Sequence, residues 1–187
     1  NLEPTNQVDV GSELSGTIEA VLVDDDDPIT RGQVLARLDL SKFQDAVAKS
    51  RAALAVSEAA LLQAEATAKE AQAKLARYRE VAKLSDGKVP SKTEVDTAEA
   101  DLARALANEA SARAGIAQSK AALQTDETNL VKAHIRSPID GVVLERNVDP
   151  GQTVAASLQA VTLFTLAEDL TKMELEVDVD EADVGQV

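Results

Sequence analysis

The sequence predicts an α+β chain in which a long antiparallel α-helical, coiled-coil hairpin interrupts a small β-sandwich. Three observations carry this. Residues 41–133 hold 26 of the 33 alanines but only two glycines and one proline, which favours helix, whereas the flanks are rich in Val, Thr, Gly and Asp. Within that block, apolar and small residues recur at alternating spacings of three and four, as in a coiled-coil seam. The two flanks also share a strand–turn–strand pattern, the mark of a repeat split by the helices.

Taken in order, residues 1–40 form the first half of the β-module. Gly16-Thr17-Ile18-Glu19-Ala20-Val21-Leu22-Val23 reads as a strand, Asp24–Asp27 with Pro28 as a solvated turn, and Gly32-Gln33 as the step into a second strand at Val34-Leu35. Residues 41–133 form the hairpin. In the first helix the seam comprises Val47, Leu54, Leu61, Ala68, Leu75 and Ala82, with companions Phe43, Ser50, Ser57, Ala64, Ala71 and Tyr78. In the second it comprises Val95, Leu102, Glu109, Ile116, Leu123 and Leu130, with Ala98, Ala105, Ala112 and Ser119. Capping boxes are expected at both starts, Ser41 with Gln44 and Ser91 with Glu94. Between the helices, Ser85-Asp86-Gly87-Lys88-Val89-Pro90 combines a left-handed-capable Gly with a Pro that cannot continue a helix, placing the tip at about 85–91. Helices of about 42 residues would run about 60 Å, so the block is a rod.

Residues 134–169 repeat the first pattern, with Gly141-Val142-Val143-Leu144, then Asn147-Val148-Asp149-Pro150, then Gly151-Gln152-Thr153-Val154. The halves can close into one sandwich only if the two ends of the rod start side by side. Residues 170–187 begin a further element: Met173 to Val179 alternates apolar and acidic residues, an amphipathic strand expected to start a β-barrel.

The formal charge of −14 argues against a nucleic-acid partner, which would require clustered Lys and Arg. That charge is unevenly placed: residues 41–133 carry 14 basic and 13 acidic side chains, so the flanks carry the whole excess. With no Cys there is no disulfide, thiolate nucleophile or Cys-based zinc site, and no run approaches the length of a membrane span. His134, the only imidazole, falls at the end of the second helix, where the helix dipole favours a structural cation over a catalytic base. The Asp24–Asp27 run lacks the spaced ligands of a calcium loop. No catalytic, cofactor or metal site is expected.

Together these pieces resemble the periplasmic adaptor, or membrane fusion protein, family of the haemolysin-D type, and within it the macrolide-efflux branch. The resemblance rests on a first lipoyl-like half (Val10-Gly11, Ser15-Gly16-Thr17-Ile18 through Leu38-Asp39), the Ala-rich hairpin, and a second half (Ile135-Arg136-Ser137-Pro138-Ile139-Asp140-Gly141 through Leu166-Ala167). The closing Val179-Asp180-Glu181-Ala182-Asp183-Val184 looks like the start of the family's β-barrel.

What the resemblance implies is a periplasmic adaptor without enzymatic activity or cofactor, anchored at the inner membrane by a segment not present in this chain. Its partners would be an inner-membrane transporter, of ABC type before RND type, a TolC-like outer-membrane channel, and further copies of itself in a homo-oligomer, a hexamer. The family's tip-docking pattern, an Arg, a Leu and a Ser at spacings of four and seven, is matched by Leu84 and Ser91. The Arg position holds Glu80, and Arg79 lies one residue earlier. Gln159 falls where macrolide-type adaptors place a glutamine ring that gates the channel.

Two other readings stay open on the residues alone. A lipoyl- or biotinyl-type carrier would share the half-motifs but would need a modifiable Lys at the junction; the helices occupy that junction and Lys42 falls in their first turn. A structural coiled-coil spacer would have the rod but no closed β-module beside it.

Overall fold

The computed structural model describes residues 2–4, 6–156, 161–168 and 173–175. The chain divides into two compact units, residues 1–43 with 129–187, and residues 44–128.

The first unit is a β-sandwich of two four-stranded antiparallel sheets. One has the order β2 (Gln7–Gly11), β9 (Thr162–Ala167), β7 (Gly141–Arg146), β4 (Pro28–Ile29). The other has β6 (His134–Arg136), β5 (Val34–Leu38), β3 (Gly16–Val21), β8 (Thr153–Val154). Each sheet therefore takes two strands from before the hairpin and two from after it. β5, which leads into the hairpin, pairs with β6, which leads out, through Val34 with Arg136 and Arg37 with His134. The Leu38 N–H also donates to the Ala133 carbonyl at 2.9 Å. The rod's two ends do start side by side.

Apolar residues of both halves fill the core: Ile18, Leu35 and Leu38 from the first, Val143, Val148, Leu163, Phe164 and Leu166 from the second, all fully buried. Each such side chain contributes about 1.5–3 kcal/mol by leaving water, so neither half has a core without the other.

The repeat seen in the flanks resolves into one turn built twice. Gly32 and Gly151 sit at φ of 85° and 88°, the left-handed conformation that a type II turn demands at its third residue. Gln33 closes one turn by donating its N–H to Thr30 O and accepting the Thr30 N–H on Oε1; Gln152 does both with Asp149. Each turn is bracketed by the opposite half. Gly32 N–H donates to Ser137 O and Ser137 N–H to Gln33 O; Gly151 N–H donates to Ile18 O and Ile18 N–H to Gln152 O. The Gly-Gln step is thus a turn signature and an interlock at once.

The Asp24–Asp27 turn is exposed in large part, as expected, but also tied down. Asp27 Oδ2 accepts the Asp24 N–H at 2.7 Å, and Arg146 of β7 donates Nε to Asp24 Oδ1 at 3.0 Å and Nη1 to Asp149 Oδ1 at 2.6 Å. The guanidinium beside Asp24 holds that carboxyl below its usual range, with the Asp25 N–H adding to the effect. Of the stretch 170–187, expected to begin a β-barrel, only β10 (Met173–Leu175) is described, antiparallel to β1 (Leu2–Pro4). The rest of it lies outside the described residues.

The second unit is the body of the helical hairpin, formed by α1 (Ser41–Leu84) and α2 (Lys92–Lys132). The pairs that cross it run antiparallel: Ser50 bonds Asp126, Ser57 Oγ meets Ser119 Oγ at 2.7 Å, Lys74 pairs with Asp101 and Arg79 with Glu99. Every seam residue named from the spacing is buried or half-buried, whereas nearly every residue between them is exposed. Glu109, a charge in the seam, is half-buried and paired with Arg113 at 2.7 Å. Ala68, Leu75, Ala98 and Ala105 are buried in the hairpin body's distal half. Small side chains there let the helix backbones approach closely.

At the helix starts one capping box forms and the other is replaced. Ser91 caps α2 as its spacing predicts. Ser41 lies inside α1 instead of capping it; its N–H donates to Asp39 Oδ1 at 2.9 Å, so a carboxylate two residues upstream does the work assigned to Ser41 and Gln44. That bond lowers the Asp39 pKa. His134 is the first residue of β6, not the last of the helix, and its Nδ1 lies 3.3 Å from the carbonyl of Leu130 in the last turn of α2.

Candidate docking site at the hairpin tip

The tip joins the last turn of α1 to the first of α2. Its loop reverses through Asp86 (φ 53°) and Gly87 (φ 78°), with Gly87 N–H bonded to Ala82 O at 2.9 Å and Lys88 N–H to Ser85 O at 3.2 Å. The first of these bonds closes a carbonyl that the end of α1 leaves free, and the second tightens the loop that follows. Ser85 adds a side-chain clamp: Oγ donates to Val89 O at 2.6 Å and accepts the Val89 N–H at 3.0 Å.

Three apolar side chains stand in solvent here. Leu84 is 80% exposed, Val89 57% and Val81 43%. Val81 and Leu84, three apart on α1, share one face. Leu84 is the most exposed of the large apolar side chains described, ahead of Val56 at 70% and Leu62 at 69% along the same helix.

The other residues expected to dock are occupied locally. Ser91 donates both its N–H and its hydroxyl to Glu94 Oε2 at 2.8 Å, while the Glu94 N–H points at Ser91 Oγ at 3.4 Å. These donors hold the Glu94 carboxyl below its usual range, the hydroxyl contributing most. Arg79 donates Nη2 to Glu99 Oε1 at 2.9 Å, across the hairpin. Lys74 and Arg104 both reach Asp101, lowering its pKa, with Lys74 the larger cause. Leu84 thus faces outward without a polar commitment, whereas Ser91 and Arg79 each hold the hairpin together. Gln159 lies outside the described residues.

A further feature was legible in the spacing but not singled out. On α2, Ala100, Ala103, Ala107, Ala110, Ala114, Ala117 and Ala121 repeat the three–four spacing on the outward face, and all are exposed. On α1, Ala52, Ala55, Ala59, Leu62 and Ala66 do the same. Both helices carry a second seam that nothing among the described residues covers.

At the candidate carrier junction, Lys42 Nζ donates to Ser15 O at 3.1 Å and lies 5.0 Å from the Phe43 ring centre. No helix among the described residues is long and apolar enough to cross a membrane.

A β-sandwich split by a long helical hairpin defines a class, and the comparisons agree. Residues 6–166 match the family model described as RND MFP, barrel-sandwich hybrid domain, and the chain belongs to this membrane fusion protein family. It is 37% identical over 183 residues to the macrolide export protein MacA of Yersinia pestis, covering 98% of this chain and 48% of that protein. It is 32% identical over 186 residues to the pyoverdine export membrane fusion protein PvdR of Pseudomonas putida, covering all of this chain and 46% of that protein. The crystal structure of MacA from Actinobacillus actinomycetemcomitans superposes with a TM-score of 0.84 at 32% identity, over all of this chain and 56% of that one. The chain spans about half the length of the curated relatives it matches.

Proposed function

We propose that this chain is the sandwich-and-hairpin part of a non-enzymatic periplasmic adaptor that links an inner-membrane transporter to an outer-membrane channel and forms part of the conduit between them. The observation that carries the proposal is the rod, two helices of 44 and 41 residues, rooted in a closed β-sandwich and ending in an exposed apolar tip. Leu84 is the contact at that tip, with Ser91 and Arg79 beside it. The transporter we favour is of ABC type, following the similarity to macrolide export proteins; the RND class named in the family description is the other choice. The adaptor works in the periplasm, attached to the inner membrane.

The uncovered Ala series on both helices supports a homo-oligomer in which hairpins pack side by side, and the family resemblance favours a hexamer. Gln159 is the proposed channel gate, tested by replacing it with Ala and measuring transport and conductance.

The deciding experiment is capture by the full-length protein. Both an inner-membrane transporter and a TolC-like channel are expected to co-purify, and Leu84→Asp is expected to lose the channel alone. Capture of neither, or loss of neither with Leu84→Asp, overturns the reading. A covalent lipoyl or biotinyl adduct in the intact mass would establish a carrier instead.

A further inference from the structure

We infer that Ser85 is a positioning residue for channel docking: its side chain fixes the backbone of Val89, so that Val89 is presented beside Leu84 as a second apolar contact. The inference rests on the tip-docking reading above and adds to it two residues outside the expected Arg, Leu and Ser set.

Within the tip loop, a single hydroxyl serves both backbone groups of one residue. Ser85 Oγ donates to the Val89 carbonyl at 2.6 Å and accepts the Val89 N–H at 3.0 Å, closing a ring over Asp86, Gly87 and Lys88. Those three residues include two left-handed conformations, and their own backbone bonds reach back to Ala82 and Ser85 without touching Val89. Apart from the clamp, nothing among the described hydrogen bonds holds Val89, whose side chain is 57% exposed. Pro90, the next residue, is buried, so Val89 is the last apolar side chain offered to solvent before α2 begins. An apolar residue held in one backbone conformation loses less freedom on binding than one on a loose loop.

Ser85→Ala removes both bonds, together with the longer 3.3 Å contact from Oγ to the Ala82 carbonyl, while leaving every apolar side chain in place. With full-length adaptor and an immobilised TolC-like outer-membrane channel of the host bacterium, Ser85→Ala is expected to bind about ten-fold more weakly at a temperature where hairpin helicity is unchanged. Ser85→Thr keeps the hydroxyl and is expected to restore binding. Val89→Ser keeps the clamp but removes the apolar contact, and is expected to weaken binding by a similar factor.

The decisive measurement is the double-mutant cycle. If Ser85 acts through Val89, Ser85→Ala has little further effect in the Val89→Ser background. A full additional ten-fold loss in that background overturns the inference, as does wild-type binding by Ser85→Ala. Failure of the underlying docking reading looks different, since Leu84→Asp would then bind the channel as well as wild type.

Discussion

Gly141 opens β7, and the structure leaves no room there for even one methyl group. A Cβ built on Gly141 would stand 1.9 Å from the Ala167 carbonyl oxygen, 2.9 Å from its carbon and 3.1 Å from the Glu168 Cα. All three are backbone atoms. Ala167 is fully buried and ends β9, the strand paired with β2 on one side and β7 on the other. Relieving the overlap requires a shift of more than about 1 Å in a strand held on both sides, where interiors are close-packed. Overpacking of this kind costs at the upper end of the usual range, about 3 kcal/mol. For a module of this size that lowers the unfolding midpoint by on the order of 10–20 °C. Because circular dichroism at 222 nm reports chiefly on the helices, the assay must read the sandwich. Hydrogen exchange on peptides covering 141–146 and 162–167 should show protection reduced about a hundred-fold in Gly141→Ala. Gly115, inside α2, is the control: a Cβ there meets nothing within 4 Å, so Gly115→Ala should stabilise the hairpin by about 0.5–1 kcal/mol. Wild-type exchange across β7 and β9 in Gly141→Ala would refute the reasoning.

Three further outcomes are expected. Ser91→Ala should destabilise the hairpin by about 1 kcal/mol, seen as a lower helical melting midpoint, whereas Ser91→Asp keeps a capping side chain and should melt near wild type; if both variants also support export in full, Ser91 has no docking role. Glu94 has a lowered pKa in the fold, so the unfolded chain binds its proton first on acidification; the stability it contributes is complete above about pH 5 and is lost as pH falls through the lower folded value. Urea midpoints of the hairpin measured at pH 5 and pH 3 should therefore differ less in Ser91→Ala than in wild type, and an equal difference would contradict the assigned bonds. Pairing Ala107→Glu with Ala114→Glu, on the exposed series of α2, should leave helicity intact but shift the full-length protein to smaller species in analytical ultracentrifugation.

The parts of this fold that could be read in advance are those set by neighbours in sequence. The seam was legible because helix geometry alone brings Val47, Leu54, Leu61 and Leu75 onto one face, and the structure buries or half-buries each of them. The Ser91 cap was legible because its partner, Glu94, lies three residues away. Ser41 shows the limit of the same rule: the spacing to Gln44 is right, yet Asp39 reaches the free N–H first. What depended on distant residues was not legible. Nothing near Asp24 announces that Arg146 will bind it, 122 residues later. The pair Arg79–Glu99, which engages a residue expected at the docking face, depends on the two helices being in register. The outward Ala series was present in the same letters as the seam, but a small residue matters only when its exposure is known.

The pairing of β5 with β6 also bears on how the chain is made. β2 ends at Gly11 and its partner β9 begins only at Thr162, so the first half of the sandwich has to wait for the second. During that wait half a sandwich is exposed, with no core of its own. The helices need only local contacts and can form first. If they do not, joining β5 to β6 across nearly a hundred disordered residues costs about 4 kcal/mol in chain entropy. Once the helices have zipped back to Ser50 and Asp126, that cost has already been met and the two strands arrive together. In this account the rod acts as a clasp that assembles its own foundation, and pulse-labelling during refolding should find α1 and α2 protected before β9.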